Sequence, residues 1–264
     1  MIWEYFANLA LHSGDDTGIA GYLAVDEVRS EIVLAVRGSS NIKNWISNFE
    51  FNFVDSSLTT GAEVHDGFNS AWGEMSEGVA TTLAAALETY PGFKIVATGH
   101  SLGGAVAMLG GGYLRNDGYT VDIYTFGAPR IGNGVVSDYI SAQDGPEFRI
   151  THLDDPVPRL PPIIFGYRHT SPEYWLSKSE STGEDYPIEE IEVCEGNRNV
   201  DCNAGTFGLN VGAHALYFGP ISECSNDASA AAAALKAAED DADLEERLNG
   251  WVQEDIDYVN GGGN

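Results

Sequence analysis

The chain has 264 residues, 40 of them acidic and 13 basic, and its formal charge of −27 excludes nucleic acid and anionic membrane surfaces as natural partners. No apolar run approaches the roughly 18 residues of a membrane span, so no transmembrane anchor is expected. The opening "MIWEYFANLA" has neither a basic start nor a small-residue cleavage site, and does not read as a signal peptide.

In chain order the pattern is that of an α/β protein. "GIAGYLAVDEVRSEIVLAVRGS" predicts two strands, 18–25 and 31–37, joined by a polar turn. Next, "SNIKNWISNFEF" places Ile42, Trp45, Ile46 and Phe49 at i, i+3, i+4 and i+7, one face of a short helix, with Lys43, Asn44, Ser47 and Asn48 opposite. A long helix is expected from about Ser70 to Tyr90. "FKIVAT" reads as a buried strand and "LGGAVAMLGGGYL" as a helix with small residues where it crosses the sheet closely. Beyond it a strand over 120–126, a helix near 134–142 and a strand over 147–153 are expected.

Between the central strand and helix lies Gly99-His100-Ser101-Leu102-Gly103. A serine on a sharp strand-to-helix turn sits in a strained backbone, and side chains two residues to either side would strike the helix and strand, so glycine belongs at both places. Ser101 is therefore the candidate nucleophile. A hydroxyl needs a histidine to take its proton and an acid to hold that histidine's tautomer. Three histidines follow Ser101. His152 lies inside a predicted strand, and His169 sits among aromatic residues, whereas His214 follows the Gly- and Asn-rich loop "NAGTFGLNVGAH" and is the expected base. "RITHLDDPVPRLPP" offers Asp154 and Asp155 just past a strand end, and spacing leaves the two open. The oxyanion donors expected are the backbone N–H of Leu102 and Ser39, which follows an early strand. An amphipathic helix beside such a donor suits a lid, made of Ile42, Trp45, Ile46 and Phe49.

Cys194 and Cys202 bracket a polar loop suited to a short disulfide, which leaves Cys224 over. No spacing of cysteines or histidines fits a zinc site, and no metal or other cofactor is expected. From Asn226 onward the composition changes: ten acidic and two basic residues contribute −8 of the total charge. Leu244, Leu248, Trp251, Val252, Ile256 and Val259 form one stripe at helical spacing, expected to dock. The organisation read from the sequence is a domain over 1–225 and an acidic, Ala-rich helical extension over 226–264.

"RGSSNIKNWISN", "VHDGFNSAW", "TGHSLGGA", "YTFGAPRIGN", "THLDDPVPRLPP", "GYRHTSPEYW" and "AHALYFG", in this order, resemble the fungal class 3 triacylglycerol lipases, from about Gly18 to Cys224. That family shares the α/β-hydrolase fold with fungal feruloyl esterases. The resemblance implies a mostly parallel central sheet with helices on both faces, a short helical lid and, here, a C-terminal helical extension. It implies Ser101 as nucleophile, His214 as base, Asp155 rather than Asp154 as acid, Ser39 as oxyanion residue and Trp45 as a lid tryptophan. The expected function is a secreted serine lipase that cleaves acylglycerols at a lipid–water interface through an acyl-enzyme. An esterase of soluble aryl esters, a phospholipase A1 and a lipid-binding protein with a relic site are the alternatives. The apolar lid face favours the lipase, and the negative charge disfavours a phospholipase on anionic surfaces. Oligomeric state, preferred glyceride and acyl length are not legible.

Overall fold

A computed structural model describes residues 6–39, 42–178, 186–221 and 241–263. Cys224 and the Ala-rich stretch ahead of residue 241 lie outside the described residues. The chain runs β1 (Phe6–Ser13), β2 (Ala20–Asp26), β3 (Glu31–Val36), α1 (Ile42–Ser47), β4 (Phe53–Asp55), β5 (Glu63–His65), α2 (Asp66–Thr89), β6 (Lys94–His100) and α3 (Leu102–Asn116). It continues through β7 (Val121–Phe126), β8 (Gly132–Asn133), α4 (Gly134–Ser141), β9 (Glu147–His152), β10 (Tyr167–Arg168), β11 (Glu173–Leu176), β12 (Ile191–Cys194), α5 (Val211–His214) and α6 (Ala242–Asn260).

Eight strands form the main sheet in the order β1-β2-β3-β6-β7-β9-β11-β12. The pairs from β3 to β11 are parallel, and the β1, β2 and β12 margins are antiparallel. The alternation in "EIVLAV" and "VDIYTF" sends Ile32, Leu34 and Val36, then Val121, Ile123 and Thr125, to a single buried face. Residues of α2, α3 and α4 share one core cluster with these strands. Elsewhere Phe126, Phe148 and Tyr174 pack with Tyr186, Tyr217 and Ile221. A second sheet, β10-β8-β5-β4, is small and antiparallel.

Helix α3 packs against both the sheet and α2, which itself rests on β1, β2 and β3, and the composition of α3 is what permits the close approach. A Cβ on Gly110 would fall 2.5 Å from the Trp72 ring, and one on Gly111 would fall 2.6 Å from Ile123. Small residues facing α2 and the sheet let the helix bury almost its whole circumference.

Helix α6 is the docked tail helix. Asp241 caps it, its side chain accepting from the Leu244 N–H at 3.2 Å. Leu244, Leu248 and Val252 are buried, the first two in a cluster with Ile46, Leu160, Leu209 and Val211, so the helix covers loops around the candidate acid and base. The predicted stripe is displaced at its far end. Ile256 and Val259 are only half-buried, and the carboxylate of Asp255 is buried instead. Asp255 accepts from the N–H groups of Ile163 (2.8 Å) and Ile164 (2.9 Å), with Arg130 at 3.7 Å. It thus satisfies backbone donors that the apolar stripe cannot. Asp255→Ala should cost about 2–4 kcal/mol in urea unfolding, because it removes the acceptor of two N–H groups and the carboxylate beside the buried Arg130 guanidinium. Ile256→Ala should cost only about 1 kcal/mol, and equal losses would contradict this anchoring.

Candidate active site

Strand β6 ends at His100, and Ser101 turns the chain into α3 with φ 58° and ψ −131°, a region that non-glycine residues rarely enter. Close packing holds it there. A Cβ on Gly99 would lie 2.3 Å from the Gly103 carbonyl oxygen, and one on Gly103 would lie 2.2 Å from that of Val36. Both flanking glycines are thus required by the crossing of β3, β6 and α3, as the sequence reading expects.

The candidate acid and base come from two other loops. Asp155 follows β9 and is fully buried. Its carboxylate oxygens lie 3.0 and 2.8 Å from Nδ1 of His214, at the end of α5. A carboxylate only accepts here, so Nδ1 carries the proton and Nε2 presents a lone pair, the tautomer a general base needs. Asp155 also accepts from the Val157 N–H at 2.9 Å and from the Tyr217 hydroxyl. Burial alone would raise its pKa. The charge that His214 takes when protonated, together with the hydrogen bonds from His214, Tyr217 and Val157, outweighs burial and holds it below the ordinary carboxylate value. Asp154 is engaged elsewhere: its Oδ1 accepts from Asn210 Nδ2 at 2.7 Å, and Asn210 in turn caps α5 by accepting from the Ala213 N–H at 2.8 Å.

Ser101 Oγ and His214 Nε2 are both enclosed, and neither has a hydrogen-bond partner among the described residues. A pocket of about 330 Å³ opens beside Leu102, Ser39, Trp45, Phe49 and Phe68. Leu102 is the first residue of α3, so its N–H belongs to the helix's unpaired first turn. In the segment 42–49, Ile46 is buried, Ile42, Trp45 and Phe49 are half-buried, and Asn44, Ser47 and Asn48 face solvent. Phe49 lies 4.2 Å from Trp45 and 4.8 Å from His65, ring to ring.

Two histidines are held in structural roles. His152 Nδ1 lies 3.0 Å from the Ala213 carbonyl, and His169 Nε2 is 2.7 Å from that of Pro158, deep in a site where burial pushes its pKa well down. Sequence reasoning missed His100 and Tyr217. His100 donates from Nε2 to the His214 carbonyl at 2.7 Å, their rings 4.3 Å apart. Both lie inside motifs quoted above, "TGHSLGGA" and "AHALYFG", but no local period marks which polar side chain reaches a distant carbonyl. Cys194 and Cys202 form the expected disulfide. Among the described residues no group of three His, Cys, Asp or Glu side chains is arranged to hold a metal.

A parallel sheet with a strained serine between β6 and α3, and with an acid and a histidine on later loops, is the architecture of an α/β-hydrolase. Residues 33–165 match the family model described as lipase (class 3). A secreted mono- and diacylglycerol lipase 1 of Fusarium solani is 47% identical over 246 residues, covering 93% of this chain and 72% of the relative. Secreted mono- and diacylglycerol lipase A of Penicillium camembertii is 39% identical over 207 residues, 76% of this chain and 67% of that one. Among solved structures, a mono- and diacylglycerol lipase from Aspergillus oryzae superposes with a TM-score of 0.77 at 36% identity, covering 81% of each chain. The chain belongs to the class 3 lipase family, and is a lipase acting on lipid esters.

The site has a consequence for acid stability. Burial, then the charge of His214, pushes the His100 pKa from 6.5 down to about 3. Between those values the unfolded chain binds a proton that the fold refuses, so stability falls as pH drops below about 6.5, by about 1.4 kcal/mol per pH unit from this group. His100→Gln does not titrate. In urea unfolding, the stability of the native protein relative to this variant should fall by that slope between about pH 6 and 4.5. A pH-independent difference would contradict the buried neutral imidazole.

Proposed function

We propose that the chain cleaves acylglycerols through an acyl-enzyme on Ser101, with His214 as general base and Asp155 as the acid that orients it. The observation that carries this reading is the His214 tautomer: Nδ1 is given to a buried carboxylate, and Nε2, like the Ser101 hydroxyl, is buried without a hydrogen-bond partner among the described residues. His214 takes the Ser101 proton as Oγ attacks the ester carbonyl, and Asp155 stabilises the imidazolium. The N–H of Leu102 and the backbone or hydroxyl of Ser39 hold the oxyanion. His214 returns the proton to the departing glyceride alcohol, and a water, activated the same way, releases the fatty acid. The aromatic pocket beside Ser39 and Leu102 supplies an apolar place for an acyl chain. Three of the similar proteins are named for mono- and diacylglycerols, which makes these partial glycerides the first class to test, and the naming of two of them as secreted supports secretion of this chain.

The segment 41–49 is proposed as a lid, with its described residues 42–49 in the closed position. Ser101 is only 1% exposed, and Trp45 and Phe49 line the adjoining pocket. Turning such side chains to water costs roughly 1.5–3 kcal/mol each, so the closed state dominates in solution. A lipid surface offers the same burial with the lid open and shifts the population. The charge of −27 favours a neutral surface over an anionic one.

Ser101→Ala, Asp155→Ala and His214→Ala should each lower kcat by orders of magnitude with the fold intact, and combining them should add little, because they act as a unit. Asp154→Ala should be far milder, and the reverse order of the two aspartates would overturn the acid assignment. Trp45→Ser should depress hydrolysis of emulsified diacylglycerol much more than that of soluble p-nitrophenyl butyrate. Equal losses on both, with no rise in rate above the substrate's solubility limit, would set the lid aside in favour of a soluble-ester esterase.

A further inference from the structure

The loop that delivers Asp155 is bent against its own preference. Leu153, the first residue past β9, has φ 41°, in the left-handed region that a residue with a side chain enters only at a cost. Its N–H still follows the sheet, donating to the Leu176 carbonyl at 3.0 Å, and two residues later the Asp155 N–H closes the turn on the His152 carbonyl at 3.0 Å. Such a turn persists only where its surroundings hold it.

Two side chains do so. The indole Nε1–H of Trp175, on β11, donates to the Leu153 carbonyl at 2.8 Å. The carboxamide of Asn203 donates from Nδ2 to the same carbonyl at 3.1 Å and to the Asp155 carbonyl at 3.0 Å. Both partners are carbonyl oxygens, which only accept, so the amide orientation follows from the contacts. Asn203 is 1% exposed, yet its Oδ1 has no hydrogen-bond partner among the described residues. Burying an unsatisfied amide oxygen carries a penalty, so the side chain is retained for its two donated bonds. Its own backbone is fixed on three sides. Its N–H points to Glu173 at 3.3 Å, its carbonyl accepts from the Thr206 hydroxyl at 2.7 Å, and the preceding residue is tied by a disulfide to the end of β12.

We infer that Asn203 and Trp175 are positioning residues for the ester hydrolysis: together they hold the strained Leu153–Asp155 turn so that the Asp155 carboxylate meets Nδ1 of His214. This rests on the reading of Asp155 as the acid of the triad. Neither side chain reaches the reacting atoms. Their effect passes through the placement of one carboxylate, and a displacement of that group acts on kcat rather than on substrate binding.

The test is a double-mutant cycle on the full chain with p-nitrophenyl butyrate, a soluble ester that keeps lid opening out of the readout. Asn203→Leu, similar in volume, removes both donated bonds, and kcat should fall roughly 10- to 100-fold with KM within about threefold. In an Asp155→Ala background the same change should alter kcat by less than about twofold, because no carboxylate remains to be placed. Trp175→Phe keeps the aromatic body and loses a single N–H. Its kcat should fall about 3- to 10-fold, again only when Asp155 is present, and it carries the test if Asn203→Leu does not fold. Equal fractional losses with and without Asp155 would mean a general structural role and overturn the inference. So would full activity in both single variants alongside a crippled Asp155→Ala. A fully active Asp155→Ala would instead bring down the acid assignment itself, and this inference with it.

Discussion

A carboxylate with no exposure to solvent can remain ionised only if enough donors surround it, and the loops above the sheet are arranged around that requirement at Asp155. It has His214 Nδ1 on one side, the Tyr217 hydroxyl on another and the Val157 N–H beneath. These groups come from the β9 loop, the end of α5 and the segment just after it. Because the donors outweigh desolvation, the buried charge becomes an organising centre instead of a fault. Removing any one donor leaves a buried group short of partners, which ties the geometry of three loops to a single charge.

The other fixed point is backbone strain at Ser101. Glycines at 99 and 103 let β3, β6 and α3 approach within a distance no side chain tolerates, and that approach holds Ser101 at positive φ. His100, next in the chain, joins the two centres by donating to the His214 carbonyl. Above them, α6 closes the assembly: its apolar side packs with Ile46, Leu160, Leu209 and Val211, while Asp255 holds the 163–164 backbone and Asn249 accepts from the Gly208 N–H at 2.7 Å. The proposed lid segment and the loops of Asp155 and His214 thus share one apolar cluster with the tail helix. Opening of the proposed lid would therefore work against the packing of α6 as well as against water.

How much of this was legible depended on the range of each interaction. The strands β2, β3, β6, β7 and β9 and the helices α3 and α4 fell where period and glycine spacing placed them. Helix α2 begins at Asp66, ahead of the expected Ser70, because "HDGF" reads locally as a turn although Asp66 suits a first turn. The short strands β11 and β12 and the second sheet were not read, since Pro-rich and polar segments acquire strand geometry only from the neighbours they pair with. At the site, spacing left Asp154 and Asp155 equivalent. Their difference is tertiary: Asn210 occupies the first, and His214 meets the second. Tyr217, Asn203 and Trp175 were invisible for the same reason, each acting on a carbonyl or carboxylate far away in sequence. Asp255 broke the apolar stripe of α6 because two distant N–H groups needed an acceptor.

The central claim is that a strained serine is made nucleophilic by a histidine that a buried aspartate orients. It is tested most directly by labelling with diethyl p-nitrophenyl phosphate, which transfers a diethylphosphoryl group to an activated serine and releases p-nitrophenol. Intact mass and peptide mapping should find a single adduct per chain, on Ser101, forming at least about a hundredfold more slowly in Asp155→Asn, whose imidazole is no longer held in the reactive tautomer. An adduct on another residue, or labelling of Ser101 at an unchanged rate in Asp155→Asn, would contradict the account.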